Sequence, residues 1–406
     1  MAAINRSTDM TTGSIWKRMV SFAVPVFLGN LCQQLYNTVD SVIVGKFVGK
    51  QALAAVASSG NLIFMMTGFF MGLFIGAGIV IAQYFGARNY EKVRSAVHTD
   101  IAFALCCGVL LTLLGVFFTP TLLTWMRTPA DVLDTSILYF RLYFLGSLAT
   151  ILYNAGMGIL QAVGDSRSPL YYLVISSVVN VALDLLFVGA MDMGVAASQG
   201  VPSGVQNSII AIANVVVQSN INTFGSDAMA GCGSYSKVEG FVFLPITAFA
   251  MALTTFIGQN LGAGQFDRAK QGARIGILCS MAMAELIGVA LFFLAPYAMR
   301  LFNDDPAVVA IGVRQSHIEA LFFCFLAFAH GVSAVLRGAG RAQVPMYTML
   351  GCWCILRVSY ITLALKVWPD IATIFWAYPI TWSVSCVVFL LYYLKADWVH
   401  ALEKSL

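Results

Sequence analysis

The chain has 406 residues, of which 59% are hydrophobic and only 10% are charged, and its mean hydropathy is +0.82. Soluble domains carry roughly 25% charged residues, so this composition excludes a soluble globular protein and indicates one that resides in a lipid bilayer. The formal net charge of +4 is small and comes from loop lysines and arginines. It therefore bears on membrane orientation, and nucleic acid is not an expected partner.

Eleven apolar stretches follow one another along the chain, each long enough to cross a hydrocarbon core of about 30 Å as a helix. They cover residues 16–45, 52–85, 92–119, 133–161, 169–190, 201–223, 228–262, 269–299, 307–336, 345–366 and 371–395. The period-two alternation of an outer-membrane barrel is absent, which leaves helices as the predicted spanning structure. The predicted fold class is therefore an all-α polytopic membrane protein.

The first apolar stretch carries a polar strip. It is too long and too rich in amides for a cleavable signal, so it is predicted to be a retained helix. Gln33, Asn37 and Asp40 share one face of this helix, and such a face is expected to avoid lipid. Pro25 removes a backbone hydrogen bond in the same helix, and the resulting bend is expected either to respond to the charge of Asp40 or to be a static kink.

A second intramembrane acid lies in the fifth stretch. Asp184 follows Asn180 by one turn and is about 22 Å from the cytoplasmic start of its helix, a depth similar to that expected for Asp40. The two acids and the amide are predicted to form a cavity that binds a proton or a small cation, since like charges in a low-dielectric site raise proton affinity. The alternative places Asp40 at a solvated helix end and satisfies Asp184 through Asn180.

Other motifs give weaker signals. Glu239 is expected to pair with Lys237 or to be solvated near a helix start, Glu319 to lie in the first turns of its helix, and Arg357 to pair or snorkel. The nine cysteines lack the spacing of a zinc site, and no glycine-rich loop has Walker spacing. Enzyme activity and bound cofactors are therefore not predicted, and an ion gradient is the expected source of energy.

The chain contains an internal duplication. Residues 83–94, QYFGARNYEKVR, return at 259–270 as QNLGAGQFDRAK, and the same offset carries QAVGDSRSP (161–169) onto RGAGRAQVP (337–345). A long-period repeat of apolar segments is typical of transporters, whose substrate site lies where the two copies meet. The chain is thus predicted to form two homologous helix bundles.

The predicted bundles occupy 1–195, with five helices, and 196–406, with six. An odd number of helices before the second copy should invert it and place its basic loop, with Arg268 and Lys270, outside, against the positive-inside rule. Either a sixth helix has been lost around 196–201, or the second half is inverted or frustrated. Loss is favoured, because both copies place a basic loop after their second helix, as parallel repeats do.

Six segments together resemble the MATE (multidrug and toxic compound extrusion) family of transporters. They are QQLYNTVDSVIVG (33–45), AQYFGARN (82–89), LQAVGDSRSP (160–169), NVALD (180–184), VPSGVQNS (201–208) and FIGQNLGAG (256–264). The resemblance covers essentially the whole chain. It implies two six-helix bundles in the bacterial cytoplasmic (inner) membrane and a secondary antiporter that exports bulky, often cationic, compounds in exchange for H⁺ or Na⁺.

The resemblance also assigns roles to individual residues. Positions that match the family's cation- or proton-binding site, and that form a candidate Na⁺ site, are Asp40, Asn180 and Asp184. Residues expected to line the substrate cavity are Gln34, Tyr36, Asn37 and Asn154. Pro25 matches a proline linked to bending of the first helix.

The expected partners are small amphiphilic or cationic molecules and membrane lipid, with no cofactor other than the coupling ion, and the expected state is a monomer. The family carries a sixth helix and a linker that this chain lacks, which puts the cation site and correct insertion in doubt. The alternatives are a lipid-linked precursor flippase of the same superfamily, expected to have a more cationic cavity, and a non-transporting deletion remnant.

Overall fold

The computed structural model describes residues 9–47, 76–125, 144–184 and 223–400, apart from residue 303, together with a few single positions between these ranges. Over residues 36–47, 122–125 and 176–184 the description is confined to the backbone. All regular secondary structure in this described part is helical, as the composition and the apolar stretches predict.

The helices are numbered here in chain order. They are α1 (Ile15–Phe47), α2 (Gly76–Gly86), α3 (Tyr90–Trp125), α4 (Ser147–Ala162), α5 (Arg167–Asp184), α6 (Ser226–Gly262), α7 (Phe266–Arg300), α8 (Pro306–Glu319), α9 (Phe323–Gly338), α10 (Gln343–Met349), α11 (Arg357–Val367) and α12 (Ile371–Lys395). A 3₁₀ turn, Ala320–Phe322, joins α8 to α9. A π-helical turn, Leu350–Leu356, joins α10 to α11.

Six helical segments of the described part are long and apolar enough to cross a membrane. They are Tyr90–Thr121, Ala230–Gly262, Phe266–Arg300, Pro306–Gly338, Gln343–Val367 and Ile371–Lys395. Local chemistry sets where two of them begin, because Asp305 and Asp370 each accept a hydrogen bond from the backbone N–H two residues later, at 2.8 Å. Capping by aspartate satisfies an N–H that the helix itself leaves free.

The chain divides into two compact units. The N-terminal unit comprises Met1–Ser7, Leu28–Ile81 and Asn89–Ser208, and the C-terminal unit comprises Thr8–Phe27, Ala82–Arg88 and Ile209–Leu406. The predicted boundary between residues 195 and 196 lies outside the described residues and stays a prediction.

In the N-terminal unit, α3 and α4 pack closely because glycines of α3 admit side chains of α4. A Cβ built on Gly108 would stand 2.4 Å from the Leu148 side chain, and one on Gly115 would stand 2.0 Å from the Phe144 ring. Thr112 and Ser147 share a hydrogen bond of 2.9 Å across the same interface. Rising residue numbers on α3 meet falling numbers on α4, so the two helices are antiparallel.

The C-terminal unit has a continuous apolar core contributed mainly by α6, α7 and α9. Its largest fully buried side chains include Phe256, Phe323 and Trp382. Gly272 of α7 lies against the Phe256 ring, where a Cβ would approach to 2.1 Å. The first half of α1, through Phe27, packs on this core, and Trp16 stacks on Phe249 with ring centroids 6.3 Å apart.

The two copies of the repeat meet within the C-terminal unit at a reciprocal crossing of α2 and α6. A Cβ built on Gly86 would stand 1.9 Å from the Gln259 backbone oxygen, and one on Gly262 would stand 1.9 Å from the Gln83 backbone oxygen. The basic loops follow directly after these glycines, so both loops begin close together in the C-terminal unit. The relative direction of the two copies stays a prediction.

Candidate functional site

The predicted cation site lies mostly outside the described side chains. Asp40 belongs to α1, and Asn180 and Asp184 belong to α5, whose backbones are helical as predicted. The side chains of these three residues, and those of Tyr36 and Asn37, are outside the described part of the chain. The assembly of this site therefore stays a prediction.

Three residues of the same prediction are described. Asn154 is partly buried, and its Nδ2 donates to the backbone oxygen of Thr150 one turn earlier, at 2.8 Å. Gln34 is partly buried in α1. Pro25 lies inside α1, and the boundary between the two compact units follows it closely, after Phe27. A bend at Pro25 would thus occur next to the point where α1 passes from one unit to the other.

A polar cluster lies in the C-terminal unit, and we call Tyr235, Glu239, Gln315, Glu319 and Arg357 the Glu319 cluster. Glu319 has no exposed surface. Its Oε2 accepts from the Tyr235 hydroxyl of α6 at 3.2 Å, and its Oε1 accepts from Gln315 Nε2 one turn earlier on α8 at 2.9 Å. Glu319 is about 20 Å along the helix from Pro306, so it lies near the middle of its membrane span.

Arg357 supplies a positive charge to this cluster. It is only 3% exposed, and its Nε and Nη2 donate to Thr381 Oγ1 at 3.3 and 3.0 Å. Its guanidinium carbon stands 4.3 Å from the centre of the Tyr378 ring, a cation–π contact. Arg357 also interacts electrostatically with the carboxyl groups of Glu319 and Glu239.

Both charged ends of the cluster adjoin helix irregularities. Glu319 is the last residue of α8, directly before the 3₁₀ turn, and Arg357 is the first residue of α11, directly after the π-helical turn. The Cys324 N–H, just after the 3₁₀ turn, donates to Glu285 Oε2 of α7 at 3.1 Å. This hydrogen bond ties the helix interruption to α7. Such interruptions of a spanning helix are frequent at functional sites.

The expectations for these residues had different outcomes. Glu319 was placed wrongly, because it is the last residue of α8 rather than in its first turns, and it is fully buried. Of the two alternatives for Arg357, the structure shows pairing, with Thr381 Oγ1 and electrostatically with Glu319. Among the described residues, Glu239 forms no ion pair with Lys237 and lies well inside α6. A sequence signal was available, since Gln315 and Glu319 are four residues apart and share a helix face.

The Glu319 cluster contains more acidic than basic groups. Two carboxyl groups near one guanidinium leave one formal negative charge, which a proton or a monovalent cation would neutralise. In a span surrounded by hydrocarbon such neutralisation is strongly favoured, because an uncompensated buried charge costs several kcal/mol. The described residues hold no group of three or more metal-ligating side chains, so a proton fits the cluster better than a tightly held metal.

Comparison with protein families gives two matches to one family model. The model named MatE matches residues 25–186 and again residues 202–363. The two matches reproduce the internal duplication predicted from the sequence. They leave only residues 187–201 between them, too few for a spanning helix of about 20 residues.

Individual relatives cover nearly the whole chain. The probable multidrug resistance protein YoeA of Bacillus subtilis (strain 168) is 26% identical and aligns with 94% of each chain. The alignment extends over 433 residues, more than the 406 present here, so YoeA contains residues without a counterpart in this chain. A "FAD transporter" of Shewanella oneidensis is 21% identical over 74% of this chain.

Solved structures share the fold. A structure described as the outward-facing conformation of a multidrug resistance MATE family transporter of the MOP superfamily superposes with a TM-score of 0.89 at 19% identity. The match covers 98% of this chain and 99% of that one. The all-α, two-bundle fold class predicted from the sequence is confirmed by this likeness.

Proposed function

The chain belongs to the MATE family and is a multi-pass transport protein of the cytoplasmic membrane rather than an enzyme, and on this basis we propose that it exports drugs or organic cations in exchange for H⁺ or Na⁺. Support for the export of drugs comes from relatives that carry multidrug resistance names. The coupling ion is proposed to bind at Asp40, Asn180 and Asp184 in the N-terminal unit.

One observation carries the coupling part of the proposal, the complete burial of Glu319 in a membrane span. Ionisable side chains inside a membrane are costly, and those that persist there are functional by default. The hydroxyl and amide that hydrogen-bond Glu319 can serve both its ionised and its protonated form. We therefore place a second coupling site at Glu319, beside the predicted one at Asp40.

The same cluster supports an exporter of cations over the lipid-linked precursor flippase. Lipid-linked precursors are anionic, so a flippase that binds them is expected to have a cationic cavity. The described cluster has two carboxyl groups, Glu239 and Glu319, for one guanidinium, that of Arg357. Its net charge thus has the sign that attracts cations.

The proposal is tested by ethidium efflux in proteoliposomes with imposed H⁺ or Na⁺ gradients. Glu319→Gln and Asp40→Asn are expected to reduce gradient-driven efflux by about tenfold, the scale of a coupling free energy of 1–3 kcal/mol. Asp304→Asn, which changes an exposed acid outside the spans, is the matched control and should leave efflux unchanged. Full gradient-driven efflux in both variants would contradict the proposal, and absence of efflux in the parent protein would favour a remnant.

A further inference from the structure

Another buried acid lies in the N-terminal unit. Asp100 of α3 is only 4% exposed, and neither of its carboxyl oxygens has a hydrogen-bond partner. Side-chain carboxyl groups in the interior of proteins are normally hydrogen-bonded, so this one requires an explanation.

Asp100 lies inside the membrane near its basic-loop side. The span that contains it runs from Tyr90 to Thr121, and Tyr90 follows the loop with Arg88. At about 1.5 Å per residue, Asp100 is about 15 Å from the start of α3. Asp40 and Asp184 are predicted to lie in the opposite half of the membrane, so Asp100 is separate from their site.

Three helical segments meet on the face of α3 that carries Asp100. Phe103, one turn later on that face, contacts the ring of Phe74 with centroids 6.3 Å apart. A Cβ built on Gly158 of α4 would stand 3.6 Å from the Phe74 backbone oxygen, and one on Gly78 of α2 would stand 3.4 Å from the Gly158 oxygen. The junction is thus formed by small residues and backbone.

Because α3 and α4 are antiparallel, Asp100 of α3 lies opposite the turn of α4 that contains Gly158. Gly115 faces Phe144 and Gly108 faces Leu148, so two further turns place Asp100 opposite the turn that contains Gly156 and Gly158. A Cβ built on Gly156 would meet no atom within 4 Å. The turn of α4 opposite Asp100 therefore leaves open space beside Gly156.

No described residue forms an ion pair with Asp100. On α4, which packs against α3, the described titratable residue near this turn is Tyr153, whose buried hydroxyl is also unbonded. On α3 itself, His98 is exposed. The ion pairs among the described residues are Arg314–Asp370 and His400–Asp397, neither of which involves Asp100. Protonation of Asp100 would avoid an isolated buried charge.

We propose that Asp100 is a proton-binding site of the N-terminal unit, which carries a proton in the state described here and releases it toward the basic-loop side. The release breaks the carboxyl O–H bond, passes the proton to a water molecule in the glycine-lined junction, and leaves a carboxylate. Rebinding from water reverses this step. The inference rests on and extends the proposed function, since an exchangeable proton at this depth would link the predicted site at Asp40 and Asp184 to the cytoplasm.

Infrared spectroscopy of the reconstituted protein tests the proposal directly. Relative to Asp100→Asn, the parent protein is expected to show an additional carbonyl stretching band of a protonated, buried carboxylic acid. Glu91→Gln, which changes an exposed acid in the first turn of the same helix, is the matched control and should keep the band. The band should diminish as the pH rises, and proton release upon addition of ethidium in weak buffer should fall in Asp100→Asn.

Each other outcome overturns the proposal. Identical carboxylic-acid bands in the parent protein and in Asp100→Asn, or a difference band that never changes with pH, would show that Asp100 does not exchange a proton. Asp100→Leu distinguishes a proton-binding role from a structural one. Removal of an unbonded polar group should preserve or raise the thermal midpoint, whereas a fall in the midpoint would mean that Asp100 is needed for packing. Loss of ethidium efflux with the Asp100 band intact and pH-sensitive would defeat the drug-export proposal alone.

Discussion

Arg88 holds a backbone conformation that favours glycine. Its φ is 57°, in the left-handed region, and it begins the basic loop that follows α2. The equivalent residue of the second copy is Gly264, with φ 70°, and the turns after α4 and α9 use Gly164 and Gly340, at 84° and 78°. Glycine at three of these four turns therefore avoids the steric cost of a side chain in the left-handed conformation, whereas Arg88 incurs that cost.

Arg88→Gly is expected to raise the thermal midpoint of the protein in detergent. A left-handed conformation costs an L-residue roughly 1–2 kcal/mol, and the greater freedom of glycine in the unfolded chain returns about half of that. Gly264→Ala is the converse variant and should lower the midpoint. A Cβ at Gly264 meets no atom within 4 Å, so any loss would come from φ alone. A lower midpoint in Arg88→Gly would contradict the argument.

The residue-scale features that matter most were only partly predictable. The sequence placed Asp40, Asn180 and Asp184 on helices because polar residues spaced three and four apart define a helix face. It did not distinguish Glu319 from an interfacial acid, because hydropathy gives the length of a span but not which neighbouring helix covers each side. Burial of Glu319 depends on Tyr235, which is distant in sequence and brought close by packing of α6 on α8.

At the scale of elements, the crossing of α2 and α6 is reinforced by a strap, residues 9–12. Met10 is fully buried, and its N–H donates to Gln259 Oε1 at 3.0 Å. Its backbone oxygen accepts from Asn260 Nδ2 at 3.2 Å and from Arg268 Nη2 at 3.1 Å. The side chain of Gln259 thus hydrogen-bonds the strap, and the backbone oxygen of Gln259 faces Gly86. The strap and the crossing of α2 and α6 therefore both depend on Gln259.

Gly86→Val is expected to destabilise the C-terminal unit. A Cβ would lie 1.9 Å from the Gln259 oxygen, a backbone atom, so α2 and α6 must separate, at a cost of about 1–3 kcal/mol typical of overpacking. Protection of the Met10 and Gln259 amides, measured by hydrogen–deuterium exchange, should fall together. Gly233→Val is the control, because a Cβ there meets no atom within 4 Å. Equal effects of the two variants would refute the close contact.

The spans themselves were predictable from apolar length, and their interruptions were not. The last predicted stretch, 371–395, coincides with α12, since Asp370 caps its start and the apolar run ends at Lys395. The 3₁₀ turn and the π-helical turn lie within uninterrupted apolar sequence. Both change the backbone hydrogen-bond pattern without changing hydropathy, and they are held by tertiary contacts such as Glu285 with Cys324.

At the scale of the whole molecule, the relative direction of the two copies stays a prediction. Five predicted helices before the second copy should invert it. Gln83 Nε2 of the first copy donates to the Gly338 oxygen of the second copy at 3.2 Å within the C-terminal unit, so the starts of three loops from both copies lie close together. Loss of the sixth helix is favoured over inversion because both copies place a basic loop after their second helix.

A topology reporter fused after Gly264 tests this orientation in cells. The loops that begin near Gly86, Gly262 and Gly338 carry the basic residues, and the positive-inside rule places them in the cytoplasm. A cytoplasmic signal is therefore expected after Gly264, and an external one for the control fusion after Asp304, at the opposite end of α7. An external signal after Gly264 would mean that the second copy inserts inverted.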